Sequence, residues 1–543
     1  MKPDPQQNIS LKTKKILVID DFFNFRLTMK NMLRSFGAMY LDDVATGEEG
    51  IEKMAVRRYD IILCDYNLGS GKSGQQVLEE GKFRNFIHYS TIFIMVTAEN
   101  SLEMIMGAAE YQPDDYLMKP FAKELLGKKI KHLIEKKENL KDIEKTLAVN
   151  NYSNAVSLCD ELIAKSPRNL SEIMKLKGEI LLKNGAYQEA AEFYDEILLM
   201  GNLVWAMIGR GQTCLMTGQY SEAKNIFENI IAKNDKIMPA YDCLAKTLLK
   251  MNNPEDAQAV LMKAIKISPY AILRQKNLGN IAYRNKDYCT AETACKSAVK
   301  QGEHSCFKSP SDYANLAKTL VQIKNLQEGL NVLASARKVF PDDNDARLHI
   351  SITESYVYKK LNKDAEARSA MNEAQKIVED LGGNISVDLK LELARAYIIN
   401  GENKKGTEIL KNIVQANHDN DEMLDNVRIV FRETSMEDNG QKFIEEARQE
   451  IISLNNAGVK LASDGKLAEA IIYFEKAASH LPENKIINAN AAQIHMLYMK
   501  KNGVSEQNLN DVKTYLDRVR KIDESFKDLP MLLAMYNELI PKD

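Results

Sequence analysis

Apolar residues follow two regimes along this chain. Up to about residue 118 they form short unbroken runs, Ile16–Ile19, Ile61–Cys64, Ile92–Val96 and Tyr116–Met118, separated by amphipathic stretches. Unbroken runs of this length mark parallel strands covered on both faces. The stretches between them, Phe25–Phe36 stopped by Gly37, then Glu48–Arg57, Gln75–Phe83 and Ser101–Glu110, carry a helical period. Met39–Val44 fits an edge strand. The alternation predicts an α/β domain over residues 14–135: a doubly wound, flavodoxin-like sheet of five parallel strands with helices on both faces.

Beyond Leu125 the strand pattern stops and the reading becomes all-α. Leu125–Leu147 reads as one long helix rich in Lys and Glu, with residues 136–150 a helical linker. Its lysines, Lys128, Lys129, Lys131, Lys136 and Lys137, alternate with glutamates, which fits a solvated face rather than a nucleic-acid patch. From 151 to 543 small residues recur in pairs twelve apart, among them Gly178/Ala190, Gly211/Ala223, Ala245/Ala257, Gly279/Ala291, Ala394/Gly406 and Gly458/Ala470. Successive pairs start about 34 residues apart. Antiparallel helices approach closely only where small side chains lie at their crossing. Turn residues fall inside each pair at Gly185, Gly218, Asn252-Asn253, Gly401 and Gly465, and Pro167, Pro269, Pro341 and Pro482 end second helices. About ten helix pairs are expected, one of them degenerate near 415–450.

Chemistry concentrates at the ends of the strand-like runs. Asp20 and Asp21 follow Ile19, Asp65 follows Cys64, Thr97 follows Val96 and Lys119 follows Met118. In an open parallel sheet these ends share one edge, where such folds place their sites. Three convergent carboxylates repel one another unless a hard cation joins them, and Mg²⁺ suits oxygen ligands. A carboxylate can then accept a phosphoryl group, with the lysine and the hydroxyl balancing charge on its oxygens.

On Asp20-Asp21, Asp65, Thr97-Ala98 and Lys119-Pro120-Phe121, residues 14–135 resemble the receiver domain of bacterial two-component response regulators. The resemblance implies that Asp65 takes phosphate from a histidine kinase or phosphotransfer protein, and that Asp20, Asp21 and Asp65 hold Mg²⁺ with the main-chain carbonyl of Asn67. It implies a switch pair, Thr97 and Tyr116, and two lifetime-tuning positions, Asn67 and Glu99, which match the fast-cycling chemotaxis regulators. The loop Leu68–Gly74 departs from the family by lacking the Met-Pro that often follows the acceptor. Receiver pairing through the last helix and strand, a known mode of the family, would give a homodimer.

The small/large/Pro pattern after residue 150 resembles the tetratricopeptide repeat, which implies a superhelix whose concave face takes a protein or peptide. Lys276, Asn280 and Asn315 match positions that clamp a terminal carboxylate in chaperone-binding repeats, but His349 and Thr353 stand where two further basic residues would be needed. The simpler expectation is a mildly basic groove for an acidic segment, lined by Lys246, Lys276, Arg284 and Lys318.

Composition narrows the function classes. Over 543 residues the net charge is −3, with a pI near 6.3 and a single Trp. That balance argues against nucleic acid and anionic membrane as partners. There is no apolar run of membrane-spanning length, and Ile16–Ile19 is too short for a signal-peptide core. Seven cysteines without a CxxC pair fit reduced cytoplasmic thiols. No enzymatic output motif follows the first domain, so only its own phosphorylation and dephosphorylation are expected as chemistry. Two functions remain: a phosphorylation-dependent signalling adaptor that modulates protein binding by the repeats, or a phosphate sink that docks a kinase and competes with another regulator.

Overall fold

A computed structural model describes residues 11–98, 113–138, 140–165, 167, 169–382, 385–524 and 526–540. Five parallel strands, β1 (Lys15–Ile19), β2 (Tyr40–Val44), β3 (Ile61–Asp65), β4 (Ile92–Thr97) and β5 (Asp115–Met118), lie in the order β2-β1-β3-β4-β5. Strand side chains alternate between faces, and here each face builds its own core. Ile16, Val18, Ile61, Leu63, Ile92, Ile94 and Val96 pack with Met29 and Leu33 of α1 (Phe23–Ser35) and with Leu126, Ile130 and Leu133 of the helix Lys123–Lys137. Their neighbours in the strands, Leu17, Ile19, Ile62, Cys64, Phe93 and Met95, pack with Ile51 and Met54 of α2 (Gly47–Val56) and Val77 and Leu78 of α3 (Gly74–Phe83). Both faces being covered is why the strands read as unbroken apolar runs. The predicted helix Ser101–Glu110 lies outside the described residues.

Local chemistry sets the helix ends. Thr46 caps α2 by accepting from the Glu49 amide, and Ser73 and Gln76 form a reciprocal capping box at the start of α3. Leu125–Leu147, read as one helix, is two: Lys123–Lys137 and Leu140–Ala148. The second is no solvated spacer. Its Leu140 and Ile143 are buried against Ala155, Cys159, Ile173 and Leu176, so it packs on the helices Tyr152–Ala164 and Leu170–Lys183.

The chain divides into two compact units, up to Ile323 and from Lys324. The first holds the sheet and the helices through Pro310–Gln322; the second holds the helices from Leu326 to Leu539. In both, helices follow one another in antiparallel pairs. Gly185 (φ +72°) and Asn252 (φ +57°) turn the chain in the left-handed region inside two pairs. The close packing is not mainly small against small. A Cβ on Gly178 or on Gly209 would stand 2.4 and 2.2 Å from the ring of Tyr194, and one on Gly458 would stand 2.6 Å from Phe474. Glycine thus makes room for an aromatic ring of the next helix. Near the stretch expected to be degenerate, Asp421–Glu433 is followed by an unbroken helix Glu437–Ser463.

Candidate functional site

The carboxyl ends of β1, β3, β4 and β5 converge. Asp20 follows β1, Asp65 ends β3, Thr97 ends β4 and Lys119 follows β5. Asp20, Asp65 and Thr97 are buried, whereas Asp21 is exposed. Carboxylate oxygens of Asp20, Asp21 and Asp65 all lie within 4.8 Å of one another. The Lys119 ammonium donates to Asp20 Oδ2 and Asp65 Oδ2, both at 2.7 Å. Three carboxylates against one ammonium leave an excess of two negative charges. That donor set, all oxygen and open to solvent at Asp21, fits a hard divalent cation such as Mg²⁺.

The electrostatics follow from burial. Desolvation raises the pKa of Asp65 above the ordinary carboxylate value; Lys119 opposes the rise and the charge of Asp20 adds to it. Desolvation alone would lower that of Lys119, but its hydrogen bonds to Asp20 and Asp65 outweigh it and hold the ammonium charged.

Two residues that the sequence reading passed over shape the site. Arg26 on α1 donates to the main-chain carbonyls of Asp20 at 2.7 Å and Asp21 at 3.2 Å, and to the Asp43 carboxylate at 3.1 Å. It fixes the loop carrying both acids. The ring of Phe25 lies 4.1 Å from the Lys119 ammonium and meets Phe121 edge-on, so the lysine runs along an aromatic wall. The only sequence signal for either was position: Phe25 and Arg26 lie within about one helical turn of the acidic pair.

The remaining candidates divide. Asn67 sits in the loop after β3 and its side chain accepts from the Gly69 amide at 3.2 Å. The Tyr116 ring packs against the core on the α2/α3 side; its hydroxyl is buried without a hydrogen-bond partner among the described residues, and burial, then Tyr66, pushes its pKa up to about 12. Glu99 lies outside the described residues. In the repeats, Asn315 donates to Asn280 at 3.1 Å, and Lys246 and Arg284 are exposed. Lys318 is partly buried on the helix Pro310–Gln322. Lys276 departs from expectation. Its ammonium pairs with Asp312 at 2.9 Å and donates to the main-chain carbonyl of Phe307. The buried Asp312 needs that charge, so Lys276 serves the 302–309 loop rather than a free groove.

That loop meets the sheet domain. The Ser305 hydroxyl donates to Glu79 of α3 at 2.8 Å, and both residues are buried. Lys72 donates to the His304 carbonyl, Gln76 to the Gln301 carbonyl at 3.3 Å, and the rings of Phe83 and Phe307 meet edge-on with centroids 5.1 Å apart. A second contact joins the base of the domain to the first repeat helix, where Glu144 accepts from Arg58 at 2.6 Å and from Ser90.

Comparison with known proteins agrees with this division. The response regulator receiver domain family matches residues 16–131, and tetratricopeptide repeat families match residues 147–202 and 239–270. Chemotaxis protein CheY of Pseudomonas aeruginosa is 29% identical over 122 residues, 22% of this chain and 97% of that protein. A CheY-like receiver domain protein from Methanospirillum hungatei, solved by crystallography, is 30% identical over 23% of this chain and 96% of its own, with a TM-score of 0.21. A tetratricopeptide repeat protein from Parabacteroides merdae covers 48% of this chain and 97% of its own at 13% identity and a TM-score of 0.31. No described helix is long and apolar enough to cross a membrane. A receiver domain implies phosphorylation-dependent two-component signalling, and the repeats imply protein interaction. The N-terminal domain belongs to the response regulator receiver family, and the chain joins it to tetratricopeptide repeats.

Proposed function

We propose that this protein is a signalling adaptor in which a phosphoryl group on Asp65, received from a histidine kinase or phosphotransfer protein, changes what the repeats bind. An Asp65 carboxylate oxygen forms the new P–O bond as the P–N bond of the donor's phosphohistidine breaks and the imidazole departs. Asp20, Asp21 and Asp65, with the Asn67 carbonyl, would hold Mg²⁺, which neutralises charge on the transferring group. Lys119 is placed to hold one phosphoryl oxygen, and the Thr97 hydroxyl another. The buried aspartate pair and its single lysine raise the cost of the unphosphorylated, metal-free state, which favours arrival of a cation and a phosphoryl group.

One observation carries the adaptor reading: the helix that starts from the acceptor loop is itself seated on a repeat. A Cβ on Gly74, the first residue of α3, would stand 2.1 Å from the Asp65 main-chain oxygen, and the Gly74 amide donates to the Tyr66 carbonyl at 2.9 Å. The start of α3 therefore follows any movement of Asp65, and less than two turns later Glu79 holds Ser305. Added charge of about −1.5 to −2 on Asp65 acts one loop away from that contact.

Amide hydrogen exchange on the full chain tests this, with Mg²⁺ and a small-molecule phosphodonor. Phosphorylation is expected to change exchange in both 74–83 and 302–309, and to change neither in Asp65→Ala. If 302–309 exchanges identically with and without phosphate while Asp65 is demonstrably phosphorylated, the adaptor reading fails and the phosphate sink stands.

A further inference from the structure

We infer that the second unit carries a divalent transition-metal site of the Zn²⁺ class, formed by Glu475, His495 and Asp511 on three consecutive helices. His495 lies on Lys485–Asn502, which packs against both Leu467–His480, carrying Glu475, and Glu506–Ile522, carrying Asp511. One ligand atom from each residue lies within 4.8 Å of the other two. The imidazole thus has one carboxylate from each flanking helix.

His495 is the telling member. It is wholly buried (0% exposed), and neither ring nitrogen has a hydrogen-bond partner among the described residues. A buried imidazole without a partner forfeits on the order of 1–3 kcal/mol per polar group, so the position needs a ligand or a proton. Nε2 points at Glu475 Oε1 from 3.4 Å, too far for a good hydrogen bond. Yet about 3.4 Å is the spacing of two ligands on one tetrahedral ion whose bonds are about 2.1 Å long. Among the described residues neither carboxylate is paired with a lysine or arginine. The Tyr515 ring, its centroid 5.7 Å from that of His495, lies beside the imidazole.

The donor set selects the ion. One imidazole with two carboxylates suits Zn²⁺, Co²⁺ or their neighbours. Mg²⁺ and Ca²⁺ want six or more oxygens and gain little from a buried nitrogen. Two carboxylates and a neutral imidazole balance a divalent charge. Glu475, partly exposed, gives the ion a way in and leaves room for water to complete its shell. Bound there, the ion would tie the second helix of one repeat to both helices of the next.

Full-length, untagged protein titrated with Co²⁺ in millimolar Mg²⁺, which occupies the acidic cluster of the receiver, tests the site. One equivalent is expected to bind with visible ligand-field bands and no thiolate charge-transfer band, and Zn²⁺ is expected to displace it. Asp65→Asn should leave this binding intact. His495→Gln and Asp511→Asn should each weaken it at least about tenfold and abolish the rise in unfolding midpoint that Zn²⁺ gives the wild type. A wild type that binds no Co²⁺, binding unmoved by either substitution, or a thiolate band would overturn the proposal. Asp511 is only partly buried, so Asp511→Asn keeps the test valid if His495→Gln unfolds.

Discussion

Ser305 of the repeats donates its hydroxyl to Glu79 of the receiver at 2.8 Å, across 226 residues of chain. A buried carboxylate that loses a donor retains its desolvation cost, so Ser305→Ala is expected to lower stability by about 1–3 kcal/mol. The loss should be shared. Amide protection should fall together in Gly74–Phe83 and in 302–309, while β3 keeps its own. Protection that falls in the loop alone would mean that the hydrogen bond does not hold α3.

Lys119 neutralises two buried carboxylates, Asp20 and Asp65, at 2.7 Å each. Lys119→Met keeps much of the side chain's volume against Phe25 but removes the charge. In metal-free buffer the variant is expected to lose roughly 3 kcal/mol, and Mg²⁺ should stabilise it more than it stabilises the wild type. Urea denaturation with and without Mg²⁺ gives both numbers. Equal Mg²⁺ effects in the two proteins would show that the lysine and the cation do not share the same carboxylates.

The raised pKa of Asp65, caused first by its burial and then by Asp20, has a definite consequence for pH dependence. A carboxyl whose folded pKa lies above its unfolded value binds its proton more readily when folded. The stability it contributes is complete below the ordinary carboxylate range and is lost as pH rises through the folded value. In metal-free buffer Asp65→Asn is therefore expected to be more stable than the wild type at neutral pH, with the gap closing toward pH 4. Unfolding midpoints for both proteins from pH 4 to 8 check it. A gap that widens on acidification contradicts the burial argument.

Periodicity made the sheet legible, because every strand is buried on both faces and its residues split cleanly between two cores, as at Ile62 and Leu63. It made Asp20, Asp65, Thr97 and Lys119 legible too, since the topology of a parallel sheet brings strand ends together whatever lies between them. What stayed hidden depends on pairings that no period encodes. Arg26 matters through main-chain carbonyls, which carry no residue signature. Glu79 meets Ser305, and Glu475 meets His495 and Asp511, only after helices have packed. Lys276 was assigned to a groove because its repeat position is exposed in general; here the 302–309 insertion supplies Asp312 and the Phe307 carbonyl and takes the lysine inward. The helix break before Leu140 was missed because Lys and Glu flank it on both sides, while Leu140 and Ile143 show their apolar face only against the next helix.

The repeats offer a separate test of how glycine and aromatic positions are linked. Tyr194 is buried, and its ring occupies the space that side chains on both Gly178 and Gly209 would need. Overfilling a packed interface costs about 1–3 kcal/mol, so Gly209→Ala should destabilise by that amount, even though alanine is the better helix former by about 1 kcal/mol. Tyr194→Leu removes the obstructing ring atoms at the cost of a cavity. In that background Gly209→Ala should be neutral or stabilising, because only the propensity gain remains. A double-mutant cycle by urea denaturation should then show a coupling of at least about 1 kcal/mol between the two positions. Additive effects would mean that the helices Tyr187–Met200 and Val204–Met216 relax apart, and that the glycine is not there to receive the ring.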